Sequence, residues 1–209
     1  MRCVIIAGSP EADVDFIAKQ VKDCNYLICA DKGYEYAKRA NAKPDLIVGD
    51  FDSYNGELPN DCEIITLDSH KDDTDLLHCI EVALSRGYDD FAILAATGGR
   101  FDHTFANIST LMYLDKKGAS GEIISEKESI RFLKVGEYNF DNCKRKTFSV
   151  FPFACDKVNV SYIGTEYCAD KLDLTAEDAM GISNIFVSDK ASIKINYGNA
   201  IFIINQSIN

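Results

Sequence analysis

In "GDFDS", Gly49 to Ser53, two carboxylates, Asp50 and Asp52, stand one residue apart just after the apolar run Leu46-Ile47-Val48. In "KDDTD", Lys71 to Asp75, three more follow: Asp72, Asp73 and Asp75. From Asp45 to Asp75 the chain has ten acidic residues and a single lysine. Such crowding is costly unless a cation sits among the carboxylates. Carboxylates without imidazole or thiolate partners suit a hard ion with oxygen ligands, Mg²⁺ or Mn²⁺. A third stretch, "TGGRFDH" from Thr97 to His103, has the opposite character. Gly98 and Gly99 offer backbone N–H groups at a helix start, and Arg100 adds a planar cation; together they suit an anion. A metal site beside an anion pocket points to a nucleoside triphosphate. The chain lacks G-x-x-x-x-G-K-[ST], so the site is not a P-loop.

Each signal has a plainer reading when taken singly. Asp72 suits a helix cap, with Asp75 in the first turn. Asp31 with Gly33 suits an ordinary turn. His103 reads as a hydrogen-bonder at a helix start. His70 and His78 lack metal-ligand spacing and read as surface or packing residues.

The elements that must position these groups fall into two patterns. Up to about Ser125, short apolar runs alternate with helical stretches. Strands are expected at Val4 to Ala7, Tyr26 to Ala30, Leu46 to Val48, Glu63 to Thr66, Phe91 to Ala96 and Glu122 to Ile124. Helices are expected at Ala12 to Lys22, Tyr34 to Ala40, Asp72 to Ser85 and Phe101 to Asp115. Continuous apolar strands alternating with helices mean a doubly wound, mostly parallel α/β sheet covered on both faces. Ligands of such sheets bind beyond the carboxyl ends of the strands, where Asp31, Asp50, Asp72, Asp75 and the Gly98-Gly99 turn all fall. After Ser125 come short, often alternating runs: Ser129 to Val135, Thr147 to Phe151, Lys157 to Tyr162, Ala191 to Ile195 and Ala200 to Ile204. They predict a small antiparallel β-sandwich. The expected domains are therefore 1–125, α/β and catalytic, and 126–209, all-β, with a change of period and no flexible linker between them.

Bulk properties narrow the partners. The 209 residues include 22 Lys and Arg against 33 Asp and Glu, a net charge of −11. That argues against nucleic-acid binding, which needs a basic face. The eight cysteines are scattered, with no C-x-x-C, and several lie in apolar runs such as Cys3-Val4-Ile5-Ile6, as small buried hydrophobes do. The N-terminus reaches a turn at Gly8, too soon for a signal peptide, and no apolar run approaches a membrane span. A cytoplasmic protein is expected.

In order and spacing, Ala30-Asp31-Lys32-Gly33, "GDFDS", "KDDTD" and "GGRFDH" resemble the thiamine pyrophosphokinase family, as does "GISN", Gly181 to Asn184. The resemblance covers nearly the whole chain. It implies an α/β domain followed by a β-sandwich, and an enzyme that uses ATP and Mg²⁺ to convert thiamine to thiamine diphosphate with release of AMP. It implies metal ligation by Asp50, Asp52 and Asp75, with Lys71, Asp72 and Thr74 near the phosphates. Asp31, with Gly33, matches the nucleotide site, Arg100 the phosphate clamp and Asp102 its orienting partner. Asp72 is the expected proton acceptor. Ser183 and Asn184 match positions lining the thiamine pocket. The chain departs from the family pattern in Lys32, where Gly is frequent, and in having no Trp to stack on the thiamine ring; Tyr167 and Phe186 are the alternatives. The resemblance also implies a homodimer. Asp75 and Ser183-Asn184 lie in different halves without a flexible linker, so a site shared between subunits is expected. Two other functions fit the motifs: a pyrophosphokinase for another hydroxymethyl heterocycle such as a pterin, and a non-catalytic nucleotide or metal sensor.

Overall fold

A computed structural model of the chain describes residues 1–51, 56–68 and 74–206. Two compact units divide it, Met1–Glu126 and Lys127–Asn209. In the first, β1 (Arg2–Ile6), β2 (Leu27–Ala30), β3 (Leu46–Gly49), β4 (Glu63–Thr66), β5 (Asp90–Leu94) and β6 (Ser120–Ile124) form a parallel sheet in the order β6-β5-β1-β2-β3-β4. β2 and β3 are buried along their whole length, as a sheet covered on both faces requires. α1 (Val14–Val21) and α2 (Gly33–Arg39) cover one face: Ile17, Val21 and Ala37 meet Val4, Ile6, Leu27, Cys29 and Ile47. α3 (Asp75–Ser85) crosses β1, β2 and β3, and α4 (Phe101–Lys116) lies against β6.

Helix starts follow local chemistry. The Asp13 carboxylate accepts from the Phe16 N–H at 2.7 Å and caps α1. α3 starts three residues later than the sequence predicts. The Thr74 hydroxyl accepts from the Leu77 N–H at 3.2 Å, so Thr74 is the cap and Asp75 the first-turn acid. The other residues of the predicted helix start, 72 and 73, lie outside the described residues.

The second unit holds two antiparallel sheets. β7 (Glu128–Leu133), β9 (Thr147–Pro152), β12 (Asn184–Ile185) and β14 (Ala200–Asn205) pair in the order β12-β9-β14-β7. β8 (Gly136–Asp141), β10 (Lys157–Ile163), β11 (Ala169–Thr175) and β13 (Lys190–Tyr197) pair in the order β11-β10-β13-β8. Their inner faces share one core in which Phe148 stacks on Phe186 at 4.4 Å and meets Tyr162 edge-on at 5.6 Å. The edge strands β8 and β11 escape the sequence reading because they look polar. β11 carries Asp170, Lys171 and Asp173, the kind of charge that protects an open sheet edge. All eight cysteines are free thiols, and Cys3, Cys29, Cys79 and Cys143 are buried. Burial pushes the Cys3 thiol up to about 12, which keeps it protonated and inert.

Tyr162 is 5% exposed, and its hydroxyl has no hydrogen-bond partner among the described residues. A buried polar group without a partner forfeits its hydration. Tyr162→Phe is therefore expected to stabilise the chain by about 1 kcal/mol, read as a higher midpoint in chemical denaturation.

Candidate active site

β1 pairs with β2 on one side and β5 on the other, so the chain order reverses there. The loops leaving β1 and β5 diverge and open a crevice at the carboxyl edge of the sheet. The cavity at this point is about 720 Å³, the size of a small-molecule site. Ala7 to Pro10 line it from the β1 loop, Asp31 and Lys32 from the β2 turn, and Thr74 and Asp75 from the start of α3. Gly98, Arg100, Asp102 and His103 come from the β5–α4 connection, and Asn107 from α4 itself.

The same edge bends through unusual backbone. Asp31, Phe51 and Ala95 follow β2, β3 and β5, with φ of 44°, 58° and 53°. Left-handed conformations at residues with a Cβ are costly, and they cluster where a site imposes the chain path. Gly33 serves the same turn differently. A Cβ there would lie 2.0 Å from the Ile6 carbonyl oxygen, so only glycine lets α2 start against β1.

The two diverging loops are bound to each other. Ser9 Oγ donates to the Thr97 carbonyl at 2.5 Å, and the Tyr36 hydroxyl donates to the Ser9 carbonyl at 2.7 Å. The Gly99 N–H donates to Glu11 Oε1 at 3.0 Å, so a carboxylate of the chain itself takes the amide that the sequence offers to a phosphate. Gly99 has φ 66°, and a Cβ on it would come within 2.7 Å of the Pro10 ring. Arg100 pairs with Asp102 through two contacts, Nε to Oδ1 at 3.1 Å and Nη2 to Oδ2 at 2.5 Å. The guanidinium holds the Asp102 carboxyl below the usual carboxylate range, helped by the His103 N–H. This fork leaves Nη1 and the second Nη2 proton to meet an anion.

Of the sequence-predicted residues, Asp31, Thr74, Asp75, Gly98, Arg100 and Asp102 share the cavity wall. Gly33 and Gly99 shape the turns behind it, and Asp50 stands just beyond β3, outside the wall. Asp52, Lys71 and Asp72 lie outside the described residues. Asp50 and Asp75 offer oxygen donors that suit a hard cation. No three His, Cys, Asp or Glu side chains gather around a metal position among the described residues. The β1 loop, Tyr36 and Asn107 were missed. Gly8-Ser9-Pro10 directly after an apolar strand is the turn signal the β1 loop carries, and strand order, which gives it importance, is not written in any local pattern.

In the second unit, Ser183 is exposed with φ 60°. Asn184 is buried, and its side chain is committed inside the fold. Oδ1 accepts from the N–H groups of Tyr167 and Ile185 at 3.1 and 2.8 Å, and Nδ2 donates to the Tyr167 carbonyl at 2.9 Å. Phe186 is fully buried and cannot meet a ligand, whereas Tyr167 is 67% exposed.

The catalytic domain of thiamin pyrophosphokinase matches residues 17–122, half of the chain. The chain belongs to the thiamin pyrophosphokinase family. It is 26% identical over 205 residues to thiamine pyrophosphokinase of Bacillus subtilis (strain 168), covering 95% of this chain and 96% of that protein. It is 22% identical to thiamin pyrophosphokinase 1 of Caenorhabditis elegans, covering 92% of this chain and 84% of the other. The crystal structure of the Bacillus subtilis enzyme has the same fold, with a TM-score of 0.88 at 24% identity over 99% of this chain and all of that one. The expected fold, an α/β unit followed by an antiparallel β unit, is the one observed. Membership makes the chain an enzyme of the pyrophosphokinase class. No helix among the described residues is long and apolar enough to cross a membrane.

Asn184→Ala takes the acceptor from the Tyr167 N–H and leaves the Tyr167 carbonyl with the Thr165 hydroxyl at 3.1 Å. A loss of about 1 kcal/mol is expected from the N–H left without its acceptor, measured by denaturant unfolding.

Proposed function

We propose that this chain transfers the diphosphate group of ATP to the primary hydroxyl of thiamine, releasing thiamine diphosphate and AMP, with Mg²⁺ as its cofactor. The observation that carries the reading is the cavity at the β1/β5 reversal, where Asp31, Asp75 and the Arg100–Asp102 pair share one wall in a chain of this family. In the reaction the hydroxyl oxygen bonds to the β-phosphorus as the bond to AMP breaks, and its proton passes to a carboxylate, the role proposed for Asp72. Little covalent help is needed from the protein; positioning and charge neutralisation do most of the work. Arg100, its fork held by Asp102, meets negative charge on the transferred group. Asp50 and Asp75 would hold the metal together with Asp52, and a bound Mg²⁺ would offset the charge of the phosphate oxygens.

The second unit contributes to thiamine recognition through Ser183 and the exposed Tyr167 ring, which takes the role that Phe186 is too buried to fill. Exposed apolar side chains on this unit, Tyr167, Met180, Ile182 and Val187, and Phe101 and Phe105 beside the cavity wall, support a homodimer whose two sites are each shared between subunits.

Two experiments test this reading. Mg-ATP is expected to yield AMP only when thiamine is present, and Asp75→Asn is expected to abolish that release while melting like the parent chain. AMP formed equally without thiamine, or full activity in Asp75→Asn at saturating Mg²⁺, would overturn it. For the shared site, Asp75→Asn and a Ser183→Arg, Tyr167→Ala double variant, each inactive alone, are unfolded and refolded together. Random pairing in a two-fold dimer restores roughly a quarter of the sites if they are shared. No recovery from a mixture that contains heterodimers would mean that each chain builds its own site.

A further inference from the structure

The wall of the cavity carries three carboxylates, Asp31, Asp75 and Asp102, and the basic side chains of Lys32 and Arg100. Arg100 is tied to Asp102 by two contacts. Among the described residues the Lys32 ammonium makes no hydrogen bond or ion pair, so it is the lysine or arginine of this wall that no carboxylate holds. Its side chain does not serve the fold either. Lys32 precedes α2 in the capping position, yet makes no side-chain capping bond.

The backbone beneath it is fixed from three sides. Gly33 is pressed against the Ile6 carbonyl, and the Asp31 N–H donates to the Val48 carbonyl at 2.8 Å. A Cβ on Gly8 would meet the Lys32 Cβ at 3.3 Å, so the loop after β1 passes closely beneath the lysine stem. A pinned base with a free ammonium loses only the freedom of its stem when it engages an anion. A polyphosphate entering beside Asp31 and Asp75 meets like charge on that wall, and the remaining positive charge has to come from within reach of the same turn.

We propose that Lys32 binds a phosphate group of the nucleotide in this cavity, as a second cation beside Arg100. The assignment rests on the nucleotide reading given under Proposed function. It gives a role to the residue at which the "DKG" turn departs from the glycine frequent in the family pattern, and it makes Lys32 a binding residue for the triphosphate and not a solvated surface lysine.

The test is calorimetric titration of the full chain with Mg-ATP in the absence of thiamine, so that no turnover is needed. Lys32→Gln is expected to weaken Mg-ATP binding about tenfold at low salt, as loss of one charge-assisted contact does. Lys32→Arg should bind within about threefold of the parent, since it keeps the charge. The gap between parent and Lys32→Gln should narrow at about 0.5 M salt, where exposed charges are screened. Adenosine, which has no phosphate, should bind both equally, and the melting temperatures should agree. Equal affinity of the parent and Lys32→Gln for Mg-ATP would overturn the proposal. So would a loss that Arg does not restore, or one that extends to adenosine. If the parent chain itself fails to bind Mg-ATP, the nucleotide reading falls, and Lys32 with it; that failure appears without any substitution and so is told apart from the others.

Discussion

Two adjacent parallel strands whose connections run to opposite sides of the sheet must send their chains apart. β1 and β5 are that pair: the chain leaving β1 runs through α1 to β2 on one side, and the chain leaving β5 runs through α4 to β6 on the other. Everything chemical in the first unit depends on this parting. It opens the cavity, and it sets the Asp31 turn, the start of α3 and the Gly98–Arg100 turn around one space. The side-chain links Ser9 to Thr97 and Glu11 to Gly99, together with the Ser9 N–H on the Ala95 carbonyl at 2.9 Å, hold the two loops to each other. These bonds make the gap a defined site.

The cavity wall brings opposite charges together. Its carboxylates repel one another and a phosphate alike, while its cations attract both. The Arg100–Asp102 pair settles part of that conflict inside the protein, at the cost of some of the guanidinium's donors. Glu11 on the Gly99 amide has a similar effect: a fixed negative group occupies an N–H that a ligand could otherwise use. The site therefore presents fewer unengaged donors than its residue types suggest, and those that remain count for more.

The sequence spoke clearly where structure is local. Runs such as Phe91 to Leu94 are apolar without alternation, and they form the buried parallel strands expected of them. The carboxylates and the Gly98-Gly99 turn fall at strand ends because the strand–helix alternation is regular. What could not be read depends on distant partners. Thr74 caps α3 because its own hydroxyl faces the Leu77 N–H, although Asp72 was an equally good candidate by type. Asn184 stands in a family motif, yet Tyr167, seventeen residues away, takes its amide. Phe186 and Tyr167 could not be ranked as ring-stacking residues until the sandwich core claimed one of them. The charged edge strand β11 was invisible because protection of an edge erases the pattern by which strands are recognised.

The left-handed bends at Asp31, Phe51 and Ala95 bear on how this enzyme could be hardened against heat. Each places a Cβ where roughly 1–2 kcal/mol is lost to steric conflict, and glycine would remove that conflict. The three positions are not equivalent. At Asp31 the exchange deletes a carboxylate from the cavity wall. At Phe51 it deletes a ring packed against the core under α1 and α2. At Ala95 it deletes only a methyl group. A screen that rewards thermal survival alone would accept the first change as readily as the third, and only a parallel assay of turnover would tell the useful bend from the ruinous one.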